Sequence, residues 1–215
     1  MSKIIFYKLT NDGGRAPCVQ RGLLSLAICK PKIRVSAEPG DFIFGFTANS
    51  LDPNNRLLYI AKVTDKARRG DYFALKKYAG RRDCIYKKCE NRLEWKKGAL
   101  YHSPSDLVHD LGSPPQYPKA EVLLSNDFRY FGVNGTAEYK NHYPEIKRAF
   151  EALGRGHRVH HDEPLRFELE TLISEEWRRT TKKVLGRPTS GPSRAVCYRN
   201  VSCGLVLGKE PGNKC

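Results

Sequence analysis

The sequence predicts an α+β protein in which a mixed β-structure is flanked by two helices near the C-terminal end. Three short runs rich in Ile, Phe, Leu and Tyr, at residues 3–9, 42–46 and 57–63, have the length and composition of buried strands. Helical periodicity is clear only after residue 143. This order of strands first and helices later is typical of the α+β class.

A chain of 215 residues can bury one sizeable core. We expect residues 1–160 to form the main domain and residues 161–186 to form a C-terminal helix packed on it. Residues 187–215 are rich in Pro, Gly and Ser, with little apolar content. They are either an edge strand or a partly disordered tail.

The first strand, residues 3–9, ends at Asn11-Asp12-Gly13-Gly14, whose residues tolerate left-handed backbone angles. Residues 22–28 are apolar but short, and periodicity does not distinguish a strand from a buried helical turn. Residues 29–41 look like a basic turn that ends in Pro-Gly-Asp and leads into the strand at 42–46. That strand should form a hairpin with residues 57–63, because the loop between them, residues 49–55, consists mainly of turn-forming Asn, Asp, Pro and Ser.

Further along the chain, residues 106–111 predict a short helical turn and residues 120–125 a strand. A helix should begin at Pro144 and end before Gly154, because Pro favours the first turn and Gly the C-terminal stop. A longer helix follows, with Asp162 or Glu163 as its N-terminal cap.

The formal net charge of +15 exceeds what solubility requires and indicates a polyanionic partner, nucleic acid before an anionic membrane. The alternative is a protein that is merely basic. No apolar run is long enough to span a membrane and no signal-peptide pattern is present, so we expect a cytoplasmic protein. The seven cysteines contain no Cys-x-x-Cys pair, which favours reduced thiols.

More than half of the excess charge lies in residues 62–97, where thirteen Lys and Arg stand against five Asp and Glu. Aromatic residues are interleaved with them, as expected where bases stack and phosphates are neutralised. The alternative is a solvated basic face whose aromatics point into the core. The candidate phosphate-binding residues are Arg68, Arg69, Lys76, Lys77, Arg81, Arg82, Lys87 and Lys88.

No metal or cofactor is expected. Cys84 and Cys89, with Cys197 and Cys203, have loose spacings for zinc, and the histidines at 157, 160 and 161 lie in a turn context. The chain has no P-loop, no Gly-x-Gly-x-x-Gly fingerprint and no Gly-x-Ser-x-Gly elbow. No motif therefore supports an ordinary nucleotide-hydrolysing, dehydrogenase or hydrolase enzyme.

Charged side chains near strand ends form a different kind of candidate site. Arg34 offers a planar fork of donors and Asp41 accepts from amines, so the two could read the edge of a base, together with Asp12 and Lys30. The alternative is an Asp that caps its own turn beside basic residues in solvent, and for Asp41 alone this is the preferred interpretation. The aromatic run at residues 128–131 could form a pocket wall or fill a barrel core.

Several of these segments also carry a family resemblance. The residues concerned are Asp12, Ala16-Pro17, Leu26-Ala27, Cys29-Lys30-Pro31, Ile33-Arg34, Ala37, Gly40-Asp41, Gly45, Leu123-Leu124-Ser125, Phe128, Tyr130-Phe131-Gly132 and Pro144. Through these residues the chain resembles the second family of nucleotide-modification-associated domains over roughly residues 3–160. A smaller set consists of Ile33-Arg34, Ala37, Gly40-Asp41-Phe42 and the strand Ile60-Ala61-Lys62-Val63. Through this set the chain is more distantly similar to EVE and other PUA-like domains.

The resemblance implies a PUA-like mixed β-barrel or strongly curved sheet, with the strands before Asp12, after Asp41 and before Phe128 side by side. It implies a module that binds nucleic acid or a nucleotide and recognises a modified base, in a DNA-modification or phage-defence system with protein partners. The alternatives are an enzyme that acts on a nucleotide or flipped base and a basic structural subunit. The candidate base pocket comprises Asp12, Lys30, Arg34, Asp41, Ser125, Tyr130 and Phe131.

Overall fold

The computed structural model describes residues 2–154 and 156–189. The strands are β1 (Ile4–Leu9), β2 (Cys18–Gln20), β3 (Leu23–Leu26), β4 (Phe42–Thr47), β5 (Leu57–Lys62), β6 (Asp65–Ala67), β7 (Tyr86–Cys89), β8 (Arg92–Trp95), β9 (Val122–Ser125), β10 (Asp127–Tyr130) and β11 (His157–Arg158). The helices are α1 (Pro31–Ser36), α2 (Asp71–Ala74), α3 (Leu107–Leu111), α4 (Tyr139–His142), α5 (Pro144–Ala152) and α6 (Glu163–Arg179). The α+β class is confirmed.

The central sheet has five strands in the order β10-β5-β4-β1-β11. The expected hairpin is confirmed, because β4 and β5 pair antiparallel. The pair β1 and β4 is parallel over six residues, while β11 and β10 are antiparallel to their neighbours. The strand before Asp12 and the strand after Asp41 therefore lie side by side, as expected.

A second sheet has the order β2-β3-β9-β6, and β7 and β8 form a separate hairpin. The apolar segment at residues 22–28 thus contributes a strand, β3, which pairs with β9. The strand that ends before Phe128, β9, belongs to this second sheet and not to the sheet that holds β1 and β4. The described strands form separate sheets without closing a barrel, so the PUA-like barrel is not confirmed.

The central sheet is buried on both faces because layers pack on either side of it. Along β1, Ile4 and Phe6 face a cluster with α5 and α6, whereas Ile5, Tyr7 and Leu9 face the second sheet. This is why β1 is almost continuously apolar rather than alternating.

The two predicted C-terminal helices are confirmed as α5 and α6. Asp162 is the N-terminal cap of α6, since its side chain accepts a hydrogen bond of 3.2 Å from the Leu165 amide. Leu165, Leu169 and Leu172 of α6 are buried in one cluster with residues of α5. The residues of the predicted tail beyond 189 lie outside those the structure describes. No helix in the described ranges combines the length and apolar character needed to cross a membrane.

The segment expected to be a basic turn, residues 29–41, contains a helix, because Pro31–Ser36 form α1, while Pro39 and Gly40 form the expected turn. Pro31 occupies the first turn of α1, where its missing amide proton costs nothing. The helix ends at Ser36, and Ala37 is already extended.

Arg34 of α1 is fully buried and holds several segments together. Its Nε donates to the Cys29 carbonyl at 2.7 Å, and its Nη1 donates to the carbonyls of Lys119 and Glu121 at 3.0 and 2.7 Å. Its Nη2 donates at 2.7 Å to both the carbonyl and the carboxylate of Asp110. Every N–H of the guanidinium is therefore used inside the fold.

We predict that Arg34→Lys lowers the free energy of unfolding by about 3 to 5 kcal/mol, because one ammonium group cannot replace five directed donors and leaves Asp110 poorly compensated in the interior. Urea denaturation followed by circular dichroism measures the loss. Lys32→Arg, at an exposed position of the same helix, is the control and should leave stability within about 0.5 kcal/mol. Equal stability of the two variants would contradict a structural role for Arg34.

Candidate nucleotide site

The loop that follows β1 places Asp12 in the interior, where it is 1% exposed. The hydroxyl of Tyr130, at the end of β10, donates to Asp12 Oδ1 at 2.7 Å, and the amide of Thr189 donates to Oδ2 at 3.0 Å. Burial raises the pKa of the Asp12 carboxyl above its ordinary value, and these hydrogen bonds partly offset the rise. Two residues expected at the base pocket, Asp12 and Tyr130, are thus in direct contact.

A second buried pair lies beside the first. The hydroxyls of Tyr7 and Tyr59 are hydrogen-bonded at 2.8 Å, and Lys30 Nζ lies 5.0 Å from the centre of the Tyr7 ring. Burial raises the pKa of the Tyr59 hydroxyl, and the charges of its neighbours, Asp12 among them, raise it further. Lys30 is therefore the third predicted pocket residue that the fold brings to this region.

A small cavity of about 20 Å³ lies next to Lys30. Asn11 and Arg15 line it, and each has one buried nitrogen, Asn11 Nδ2 and Arg15 Nη2, that lacks a hydrogen-bond partner among the described residues. Unpartnered buried donors are rare in proteins and call for an explanation. Cys29 also lines the cavity.

Cys29 belongs to a chain of polar contacts that leads to Asp110. Its Sγ lies 3.4 Å from His102 Nε2, and the Tyr86 hydroxyl lies 2.8 Å from His102 Nδ1 and 3.2 Å from Asp110 Oδ2. Burial, reinforced by the charge of Asp110, raises the pKa of the Cys29 thiol to about 12, and burial lowers the pKa of His102. At neutral pH the contact is therefore between a thiol and a neutral imidazole.

A larger cleft, of about 440 Å³, opens on the other side of the loop after β1. The chain after α6 forms one wall, because Val184 lies alongside Tyr130 and the Leu185 amide donates to the Tyr130 carbonyl at 2.8 Å. Gly14 contributes bare backbone to the cleft, and the side chain of Arg82 lies close to Gly14. The residues that line the cleft are Gly14, Val19, Tyr130, Val184, Leu185, Gly186, Arg187 and Pro188.

The other four residues expected in the base pocket lie elsewhere. The side chain of Asp41 accepts hydrogen bonds from the amides of Lys3 and Glu38, so it caps its own turn. Ser125 Oγ bonds to the backbone of Asp127 at the turn into β10, and Phe131 packs in the cluster beneath α5 and α6. Arg34 has no donor left for a base. Arg34, Asp41 and Tyr130 therefore do not converge on one cavity.

The aromatic residues of the basic segment, residues 62–97, point mainly inward. Tyr72, Phe73, Tyr78 and Tyr86 are buried in one hydrophobic cluster, and Trp95 packs against it. They fill the space between α2, the β7–β8 hairpin and the second sheet rather than forming an exposed stacking surface. The aromatic side chains therefore point into the core, as in the alternative interpretation of this segment as a basic face.

The predicted phosphate-binding cations of the segment fall into three groups. Arg81 is buried, and its Nε donates to the Tyr72 hydroxyl at 2.9 Å while its Nη2 donates to Ser25 Oγ at 2.7 Å and to backbone carbonyls. Arg68, Lys87 and Lys88 are paired with carboxylates. The remaining predicted cations are exposed and form no ion pair within the described part of the chain: Arg69, Lys76, Lys77 and Arg82.

Metal-binding groups are not assembled in the described ranges: no three His, Cys, Asp or Glu side chains there are arranged to hold an ion. His161 Nε2 lies 2.7 Å from the Ile4 carbonyl, and its ring stacks on Phe6. Cys197 and Cys203 lie outside the described residues.

The sequence does not predict Asn11, Arg15 or His102 at the site. Asn11 has the pattern of a turn residue, and no local pattern marks Arg15 or His102, because their roles depend on contacts with distant segments. The pair Cys29-Lys30 had a signal, since it belongs to the Cys-Lys-Pro segment that carries the family resemblance.

We predict that Tyr130→Phe lowers the free energy of unfolding by about 1.5 to 3 kcal/mol in mildly alkaline buffer, because the variant removes a hydrogen bond to a buried carboxylate. Tyr7→Phe is the matched control, since it removes a bond between neutral hydroxyls and should cost about 0.5 to 1.5 kcal/mol. Urea denaturation measures both. Tyr130→Phe with wild-type stability would rule out a strong Tyr130–Asp12 bond.

Comparison with known proteins supports the family resemblance. Residues 1–191 match the family model described as Nucleotide modification associated domain 2, which covers most of the chain. No curated protein and no solved structure matches the chain, so the PUA-like resemblance has no support from this direction. The chain belongs to the nucleotide modification associated domain 2 family.

Proposed function

We propose that this protein binds a nucleotide unit of nucleic acid as a recognition module in nucleotide modification, with a modified base as its preferred target. The observation that carries the proposal is the cleft of about 440 Å³ beside Tyr130, with the cation Arg82 close to its Gly14 wall. Its volume is in the range of small-molecule sites. Membership of the family supports a role with nucleotides, and a DNA-modification or phage-defence setting is part of the same proposal.

The cleft suits the flat face of a base. Val19, Val184 and Leu185 provide apolar surface, while Gly14 allows a ring to approach the backbone closely because it has no side chain. Tyr130, held by its bond to Asp12, fixes the inner wall. A rigid wall favours specificity because little ordering remains for the ligand to induce.

Phosphates would contact the exposed cations of the basic segment, residues 62–97, that form no ion pair within the described ranges. Arg82 is the nearest of them to Gly14, and Lys76 and Lys77 precede it in the short 3₁₀ helix at Lys76–Tyr78. Their charges are not neutralised by carboxylates of the described chain, so they are available to displace counterions from a nucleic-acid backbone.

An enzymatic role is the second candidate, favoured by the contact between Cys29 Sγ and His102 Nε2. A thiol beside an imidazole is the arrangement from which a nucleophile is activated. Because the pKa of Cys29 is raised to about 12, the thiol is protonated at rest. Recognition is therefore the function that the geometry supports best.

We predict that the affinity for oligonucleotides falls by roughly 0.7 to 0.9 log units per phosphate contact for each tenfold rise in salt. The triple variant Lys76→Glu, Lys77→Glu, Arg82→Glu should flatten this slope, because it removes up to three contacts. Fluorescence anisotropy with single-stranded and duplex oligonucleotides, carrying modified or unmodified bases, measures binding at several salt concentrations.

The control variant carries the same charge change on the helical side of the molecule, at the exposed residues Lys147, Arg148 and Arg178 of α5 and α6. It should keep the wild-type slope. Affinity that does not change with salt, or that falls equally in both triple variants, would contradict the proposed phosphate contacts. Equal affinity for modified and unmodified oligonucleotides would overturn the preference for a modified base.

A further inference from the structure

We infer that the cavity lined by Asn11, Arg15 and Lys30 binds the terminal phosphate of a nucleotide, a dianion, through one of its oxygens. This inference rests on the proposed function and adds a site distinct from the cleft beside Tyr130. The loop after β1 separates the two, since Gly14 lines the cleft while Asn11 and Arg15 line the cavity.

The first support is a pair of donors without acceptors. Asn11 is 7% exposed and Arg15 is 4% exposed. Asn11 Oδ1 accepts from the Gly13 amide at 2.9 Å, which orients the side chain and leaves Nδ2 as a donor without a partner in the described residues. Arg15 Nη2 is likewise unpartnered. An oxygen in the shared cavity would accept from both.

The second support is uncompensated charge. Arg15 and Lys30 form no ion pair with a carboxylate in the described ranges, and burial lowers the pKa of both groups from their ordinary values. Arg15 instead lies 5.0 Å from the Tyr101 ring, and Lys30 lies at the same distance from the Tyr7 ring. Cations withdrawn from water, as Arg15 is fully and Lys30 partly, are normally paired with an anion, so this pair lacks its counter-charge.

The size of the cavity decides how much of the anion enters. A volume of about 20 Å³ holds one water-sized group. Thr10, Ala16 and Lys30 form its half-buried rim. One phosphate oxygen therefore occupies the cavity, while the rest of the group faces Lys30 and solvent.

The charge count selects the kind of phosphate. A phosphodiester inside a nucleic-acid strand carries one negative charge, whereas a terminal phosphate monoester carries nearly two at neutral pH. Arg15 and Lys30 together match the monoester. The ligand is therefore a nucleoside monophosphate or the phosphorylated end of a strand, rather than an internal position.

The test measures thermal unfolding of the full chain with inorganic phosphate, thymidine 5′-monophosphate, thymidine or acetate. At a ligand concentration about 100 times Kd, phosphate and the nucleotide should raise the melting temperature by about 5 to 11 °C. Thymidine and acetate should not. Oligonucleotides with and without a 5′-phosphate distinguish a free nucleotide from a strand end as the source.

Arg15→Met separates a binding role from a structural one. Because the buried cation lacks a counter-charge, the variant should melt at or above the wild-type temperature without ligand and should lose the shift caused by phosphate. Lys62→Met is the control, since Lys62 also lies over a ring, that of Phe42, but is exposed and away from the cavity. It should keep the phosphate shift.

A wild-type protein that phosphate does not stabilise, or a phosphate shift that survives in Arg15→Met, would overturn the inference. A large loss of stability in Arg15→Met without ligand would show instead that the cation supports the fold. Either failure leaves the proposed function standing if binding of oligonucleotides that lack a terminal phosphate still depends on Lys76, Lys77 and Arg82. If phosphate still raises the melting temperature but oligonucleotide binding no longer depends on Lys76, Lys77 and Arg82, the proposed phosphate contacts of those cations fail and the terminal-phosphate site stands.

Discussion

The buried guanidinium of Arg34 is the interaction on which the candidate site depends. It ties the chain just before α1, the end of α3 and the entry into β9 to one point, through the carbonyl of Cys29, the carboxylate of Asp110 and two further carbonyls. Cys29 and Lys30, which line the small cavity, have left-handed backbone angles immediately before α1. Such angles cost energy in residues other than glycine, and the surrounding bonds hold them in place.

Another buried arginine, Arg81, joins segments in the same manner. Arg81 and Asp83 meet in the interior with Ser25 and Tyr72, where Ser25 Oγ donates to Asp83 at 2.5 Å and the Tyr72 hydroxyl donates to it at 2.7 Å. This network joins the basic segment to the second sheet through the backbone of β2 and β3. A strongly basic composition thus serves the core as well as the surface.

The buried arginines differ in whether a carboxylate compensates their charge, and this difference points to the anion site. Arg34 and Arg81 are matched by Asp110 and Asp83, so their burial is balanced within the fold. Arg15 has no such match in the described ranges, and its Nη2 lacks a hydrogen-bond partner there. A fold that compensates some buried cations and leaves another uncompensated beside a cavity has the features of a site for an external anion.

The sequence alone determined the elements whose signals are local. The strands at β1, β4 and β5, the hairpin between β4 and β5, the cap at Asp162 and the two C-terminal helices follow from apolar periodicity and turn residues. The sequence also predicted the family and placed Asp12 and Tyr130 in the same site. Tertiary structure alone decided that β1 pairs parallel with β4, that the sheets stay separate, and that Arg34, Asp41 and Arg81 face inward. An arginine in a sequence has the same charge whether a distant carboxylate meets it or not, and only the folded chain determines which cations keep a free donor.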